Sequence, residues 1–109
     1  MSNTYKVLGQ NIPAATTLTD AYTVPAATSA VVSTVTVCNQ SATGTSFRIS
    51  IAVAGAADAT KQYLYYDVSI AGNDTFAATL GITLAATDVV RVYATLATLS
   101  FNITGVEIT

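Results

Sequence analysis

The sequence of 109 residues contains no histidine and no tryptophan, and it has only one cysteine. Without histidine there is no Ser-His-Asp triad, no Cys-His pair and no common zinc site. The single cysteine, Cys38, has no intrachain disulfide partner, and its Val-rich surroundings favour a small buried apolar group over a reactive thiol. The sequence therefore predicts a protein that is not an enzyme and has no cofactor, and it assigns no residue as a metal ligand.

Charge is also scarce. Charged residues make up 9% of the sequence, with four basic and six acidic side chains and a net charge of −2, against roughly 25% in an ordinary soluble domain. Nucleic-acid surfaces need clustered Lys and Arg, so no nucleic-acid partner is expected. A surface so poor in charge is weakly protected against association. Two explanations stay open: packing into a larger assembly, or a surface of Thr and Ser hydroxyls.

Long apolar runs are missing as well. No uninterrupted apolar stretch approaches the roughly 20 residues of a membrane helix, and the opening Met-Ser-Asn-Thr-Tyr-Lys lacks the apolar segment of a secretion signal. No membrane partner is expected. The length predicts a single domain over residues 1–109, with a core large enough to need no disulfide or metal.

What the sequence does contain is alternation of apolar and polar side chains with a period of two, the pattern of half-buried strands. It is clearest from Ala30 to Ala54, where two alternating arms flank a Gly-containing polar loop, and we interpret this segment as a hairpin. The residues expected to share the apolar faces are Val31, Val35 and Val37 in the first arm and Phe47, Ile49, Ile51 and Val53 in the second.

Six further segments read as short strands between turns rich in Gly, Pro, Asn and Asp: 4–10, 19–24, 61–70, 75–84, 89–96 and 99–109. No stretch has a sustained helical period. Turn signals every 8–12 residues are typical of all-β domains. We expect a single β-sandwich of about eight short antiparallel strands, with a jelly roll and an immunoglobulin-like topology both open.

Two glycines are predicted to mark irregularities in these strands. Gly81 interrupts the sixth predicted strand and indicates a bend or bulge. In the eighth, the apolar residues change phase between Ile103 and Val106, and such a change needs an extra residue. Gly105 is the natural place for the bulge that supplies it.

The residues best suited to contact a partner are aromatic. In the fifth predicted strand, Tyr63 and Tyr65 face outward if the alternate set that contains Leu64 faces the core. Arg91 and Tyr93 share the outer face of the seventh. Because Tyr and Arg are enriched at interface cores, these four residues form the predicted interface. Half-exposed packing and stacking on carbohydrate are the alternatives for the same rings.

Carboxylates offer little chemistry. Asp67 and Asp74 flank a turn and would make a pair for glycosidase-type chemistry, but turn aspartates usually bond their own backbone. The loop aspartates are too widely spread in the sequence to predict a calcium site.

Several motifs point to a family. Residues 18–39 contain a Tyr-x-Val-Pro-Ala turn before a Val-rich strand that ends in Cys-Asn. The later motifs are Tyr63-Leu-Tyr-Tyr-Asp, Ala71-Gly-Asn-Asp-Thr-Phe, Asp88-Val-Val-Arg-Val-Tyr-Ala and the final Gly105-Val-Glu-Ile-Thr. In these segments, from about Tyr5 to the C-terminus, the sequence resembles small virion proteins of tailed phages, notably phages of cyanobacteria and other aquatic hosts. The motifs are turn and strand signatures without catalytic content.

The resemblance implies a structural protein of the virion, made in the host cytoplasm. It implies most directly a capsid cement or decoration protein on the capsid exterior, with the major capsid protein or other virion proteins as partners. A homo-oligomer is implied as well, often a trimer in such proteins. The alternative within the same resemblance is a tail, fibre or baseplate module, one that binds host surface glycans. The resemblance assigns no site residues in this sequence.

Overall fold

The computed structural model describes residues 2–109, and within them the chain is built from β-strands. The eight strands are β1 (Asn3–Asn11), β2 (Thr19–Thr23), β3 (Ser29–Asn39), β4 (Thr45–Ala52), β5 (Tyr63–Ile70), β6 (Thr75–Leu84), β7 (Val89–Ala94) and β8 (Leu99–Ile108). They form two packed antiparallel sheets, sheet I in the order β1-β8-β3-β6 and sheet II in the order β2-β7-β4-β5. The predicted all-β sandwich of eight antiparallel strands is confirmed.

The strand pairing is nested. β1 pairs with β8, β2 with β7, β3 with β6 and β4 with β5. This is one long hairpin, with its tip at β4 and β5, rolled so that successive pairs fall alternately in sheet I and sheet II. The arrangement is that of an eight-stranded jelly roll, which decides between the two topologies that the sequence leaves open.

The segment from Ala30 to Ala54 is not a hairpin, contrary to the prediction. β3 lies in sheet I and β4 in sheet II, so the loop between them crosses from one sheet to the other. Val37 and Phe47 are buried in the core between the sheets rather than side by side in one sheet. Val53, predicted to face the core, is 69% exposed in the 3-10 turn Val53–Gly55 that follows β4. Alternation shows that a strand has one buried face, but it does not identify the neighbouring strand.

The core-facing side of β3 changes at Ser33. Val32 is buried before this residue and Val35 and Val37 are buried after it. The pairings of β3 with β6 and with β8 both shift register here, because Ser33 is an extra residue in the ladder with β8. Val31 therefore lies on the outer face, and its predicted alignment with Val35 and Val37 is wrong.

Inward-facing and outward-facing residues alternate without interruption along β8, so the prediction of a bulge at Gly105 is wrong. Val106 pairs directly with Tyr5 of β1 and stays on the outer face. The extra residues lie in the neighbouring strands, Ser33 in β3 and Leu8 in β1. The predicted irregularity at Gly81 is confirmed, since the β3–β6 register shifts beside it and its φ is +65°.

The core between the sheets is centred on aromatic rings. Phe47 of β4 is fully buried, and its ring centroid lies 5.1 Å from that of Phe76, 6.1 Å from Phe101 and 6.4 Å from Tyr65. Tilted and edge-on aromatic pairs at these distances stabilise a core beyond their buried area. None of the helical turns in residues 2–109 has the length and apolar character needed to cross a membrane.

A hydrogen-bonded cluster joins the two sheets near β1 and β2. The Tyr22 hydroxyl donates to Oε2 of Glu107 at 2.7 Å, and Lys6 Nζ donates to Oε1 at 3.3 Å. The hydrogen bond from Tyr22 lowers the pKa of Glu107 below its ordinary value. Burial, together with the same hydrogen bond, raises the pKa of Tyr22 far above its ordinary value. The cluster is therefore most favourable with Glu107 ionised and Tyr22 protonated.

This cluster should make stability depend on pH at both ends of the scale. The contribution of Glu107 is present above the ordinary Glu pKa of about 4.3 and is lost as the pH falls through the depressed folded value. The contribution of Tyr22 is present below about pH 10 and is lost as the pH rises further. Urea unfolding of the wild type and of Glu107→Gln tests the acid side. The variant should have a lower free energy of unfolding than the wild type near neutral pH, and this difference should shrink in acid. An equal difference at both pH values would contradict the role given to ionised Glu107.

Candidate interaction surface

Three of the four predicted interface residues lie together on the outer face of sheet II. Arg91 and Tyr93 alternate with the buried residues of β7, and Tyr63 lies on β5, where it pairs with Ser50 of β4. Three residues that the predicted interface did not include lie among them: Arg48 of β4, and Tyr66 and Asp67 of β5. We call this group the aromatic–arginine surface; its members are Arg48, Tyr63, Tyr66, Asp67, Arg91 and Tyr93.

Arg48 is the centre of this surface. It lies between the buried residues of β4 and so points away from the core. Its guanidinium carbon lies 4.1 Å from the ring centroid of Tyr66 and 4.3 Å from that of Tyr93, within the range of cation–π attraction to both rings. A carboxylate fixes the same group, because Nε donates to Oδ1 of Asp67 at 2.7 Å and Nη2 to Oδ2 at 3.3 Å. The hydrogen bond to Asp67 also raises the pKa of Arg48.

A bulge in β5 places the ring of Tyr66 and the carboxylate of Asp67 beside Arg48. Phe47 pairs with Val68 and Ile49 with Tyr65, so both Tyr66 and Asp67 lie opposite the single residue between them on β4. Asp67 has a φ of +52°, a conformation that Asp adopts more readily than most residues. The ring of Tyr66 and the carboxylate of Asp67 both reach Arg48 as a result. The local geometry of β5 is therefore what assembles the site.

Tyr65, the fourth predicted interface residue, faces the core, and the prediction that it lies on the outer face is wrong. Its ring centroid lies 5.3 Å from that of Phe76, and it packs against the buried cluster. The large apolar side chains that are exposed in this part of β5 are instead Leu64 and Tyr66, at 46% and 56%. Two register shifts between β4 and β5 break the continuous alternation that the sequence suggests.

Arg91 has a different role from Arg48. Its Nε donates to Oδ1 of Asp20 at 3.0 Å, and its Nη atoms donate to the backbone carbonyls of Gly55 and Ala56. These contacts tie β7 to the edge strand β2 and to the turn after β4, and they leave only 14% of the Arg91 side chain exposed. Arg91 supports the edge of the surface, while Arg48 and Tyr66 form its accessible centre.

A second exposed surface lies on the outer face of sheet I. Tyr5, Val106 and Val31 pair directly with one another across β1, β8 and β3, and they line a shallow depression. Tyr5 is 79% exposed, and Val7 beside it is also exposed. We call this group, Tyr5, Val7, Val31 and Val106, the apolar strip. The two sheets therefore present different surfaces on opposite sides of the sandwich.

Among residues 2–109, no three His, Cys, Asp or Glu side chains are grouped as they would be to hold a metal ion. Comparison of the chain with protein-family models, with characterised proteins and with solved structures gives no match.

Proposed function

We propose that the chain is a structural protein of a tailed-phage virion, a cement protein that binds the capsid exterior and stabilises the shell through protein–protein contacts. The observation that carries the proposal is the aromatic–arginine surface. Contacts within the chain hold Arg48 between Tyr66 and Tyr93 and fix it to Asp67. Centres of interfaces are enriched in Tyr and Arg, and side chains ordered before binding lose less conformational entropy.

The resemblance of the sequence to small phage virion proteins supports the choice of a viral shell as the partner. The jelly roll agrees with it by analogy, since viral capsid and lectin domains use this fold. Fold alone does not determine function, so the weight lies on the surfaces. The exposed residues support both explanations for the low charge. Thr hydroxyls lie along the exposed face of β6, as expected for a hydroxyl surface. Exposed apolar side chains lie on β1 and β5, as expected for packing into a larger assembly.

The positions of the two surfaces fit the task of a cement protein. The aromatic–arginine surface and the apolar strip lie on the outer faces of opposite sheets, so one copy has a separate surface for each of two neighbouring capsid subunits. A protein that binds only the assembled shell stabilises that state by mass action. At a free concentration one hundred times the dissociation constant, the gain is about 2.7 kcal/mol per site.

Binding of the purified protein to shells that lack it tests the proposal. Tyr66→Ala removes one side of the Arg48 stack, and we expect shell binding to weaken at least about tenfold, the loss typical of a residue at an interface centre. Tyr66→Phe is the matched control, since it keeps the ring that contacts Arg48 and should bind nearly as the wild type does. Wild-type affinity of a correctly folded Tyr66→Ala protein would contradict the role given to this surface.

A further inference from the structure

Residues 75–79 of strand β6 form an unprotected edge of the sandwich. Within residues 2–109 β6 pairs on one side only, with β3. The strand contains no charge and no proline, and its one irregularity, at Gly81, follows this regular stretch, whereas natural edge strands are usually shortened, charged, bulged or covered. The other edge strands are protected. β5 contains the bulge at Asp67. β1 and β2 cover each other, and they lie so close that a Cβ on Gly9 would overlap the Ala21 carbonyl.

The free hydrogen-bonding groups of this edge can be located. Residues of an antiparallel pair alternate between hydrogen-bonded and non-hydrogen-bonded positions. The Asn39 amide donates to the Asp74 carbonyl at 2.9 Å, which makes that pair a hydrogen-bonded one. Ala77 and Thr79 then fall at non-hydrogen-bonded positions of the β3–β6 ladder. Their N–H and C=O groups therefore point away from β3, toward the open edge.

The core is also incomplete beside β6. The inward side chains of this strand, Phe76, Leu80 and Ile82, pack against the buried cluster but are only partly buried. Tyr65 and Val68 of β5 are partly buried in the same way on the facing sheet. This open side contrasts with the side closed by β1 and β2. A strand added to β6 with apolar residues on its inner face would cover it.

We propose that β6 pairs with β6 of a second copy of this chain, antiparallel and across a two-fold axis at Ala78. In this register Ala77 of each copy exchanges hydrogen bonds with Thr79 of the other, which uses the free groups of both edges. Phe76 lies beside Leu80 of the second copy on the inner face. Sheet I becomes a continuous eight-stranded sheet with β6 of both copies at its centre.

A second copy fits this edge for three reasons. Residues 75–81 carry no charge, so pairing the strand with itself places no like charges opposite each other. The outer row of Thr75, Ala77 and Thr79 is small and exposed, so no side chain obstructs the approach. The inner row of each copy supplies the apolar side chains that the other lacks, and a two-fold contact of this kind is closed at two copies.

The pairing goes beyond the proposed function and does not depend on it, because it concerns the isolated protein. It also leaves the aromatic–arginine surface of each copy free on sheet II. A dimer would then present two such surfaces, and simultaneous binding of both would raise its avidity for a repeating array of subunits.

Light scattering during size exclusion tests the pairing with the purified chain. The wild type should have a mass of about twice the 11.2 kDa of one chain. Thr79→Lys places a charge at the paired edge and should weaken dimerisation at least tenfold. Thr83→Lys is the control on the same exposed face of β6 beyond Gly81, and it should leave the dimer intact. A wild-type monomer or trimer, or an equal response of the two variants, would overturn the proposal.

Disulfide formation tests the register in a Cys38→Ser background. Ala78 lies on the two-fold axis at a non-hydrogen-bonded pair, where the Cα atoms of the two copies are expected about 4.5 Å apart, within disulfide range. Ala78→Cys should therefore form a cross-linked dimer on mild oxidation. Residue 77 is more exposed than residue 78. In this register, however, the two residues 77 are diagonal neighbours, and their Cα atoms are too far apart for a disulfide. Ala77→Cys should therefore cross-link far more slowly. Faster cross-linking of Ala77→Cys would overturn the register.

Discussion

Replacing Phe47 with alanine is expected to lower the free energy of unfolding by about 3–5 kcal/mol. Phe47 is fully buried, and its ring packs against Phe76, Phe101 and Tyr65 at the centre of the core. Truncation removes the transfer free energy of the ring and leaves a cavity that residues from both sheets line. Because a domain of this size is stable by only about 5–15 kcal/mol, a large part of its stability would be lost. Urea unfolding followed by circular dichroism measures the change.

Val53→Ala is the control for this prediction. Alternation in the sequence places Val53 on the same face as Phe47, but the structure leaves it 69% exposed in a turn. We expect its replacement to change stability by no more than about 0.5 kcal/mol, as for most surface substitutions. Comparable losses in Phe47→Ala and Val53→Ala would mean that β4 continues into the core beyond Ala52, contrary to the structure.

Replacing Gly105 with alanine is expected to cost about 1–3 kcal/mol or more, the range for overpacking a well-packed site. A Cβ at Gly105 would overlap the Val31 carbonyl and lie 3.1 Å from the Ser33 amide nitrogen. Both neighbours are backbone atoms at the irregularity of β3, so they cannot move aside as a flexible side chain would. β8 and β3 would have to separate at the middle of sheet I. Thermal and urea unfolding of the variant measure the loss.

Gly81→Asn separates this packing effect from the loss of a glycine as such. Gly81 has a φ of +65°, and among the described residues no atom other than those of Gly81 and its two chain neighbours lies within 4 Å of the position of its Cβ. Asn accepts a positive φ at low cost, so Gly81→Asn should be tolerated while Gly105→Asn should be severely destabilising. The reverse order would contradict the close approach of β3 as the reason for Gly105.

The elements of the fold could be predicted from the sequence because local signals mark them. Turn residues separate the strands, and the less exposed residues of β6 from Phe76 to Leu84 alternate with exposed ones, as a strand with one buried face requires. The neighbours of each strand could not be predicted in the same way. β3 and β4 both have one apolar face, which suits a hairpin and also suits two strands that face each other across a core. Only the complete set of pairings distinguishes the two.

Only part of the candidate site could be predicted, because alternation indicates which face of a strand a residue lies on but not which residues of other strands lie beside it. Tyr63, Arg91 and Tyr93 lie on strand faces that simple alternation places outward. Alternation with Phe47 and Ile49 also places Arg48 outward, but its contacts with Tyr66 and Asp67 depend on the bulge in β5. No glycine or proline marks that bulge, since Asp67 itself takes the positive φ. This bulge and the second register shift, at Leu64, together explain why Tyr65 faces the core although Tyr63 faces outward.

The number of copies in each virion tests the central claim most directly. Quantitative mass spectrometry of purified particles would compare this chain with the major capsid protein. A cement protein on the capsid exterior should be present in a fixed ratio to the shell subunit and in numbers of the same order. A few copies per particle would contradict the cement function and place the chain in the tail or neck, where glycan binding by the purified domain would be the next question. Absence from the particle would contradict a role in the virion altogether.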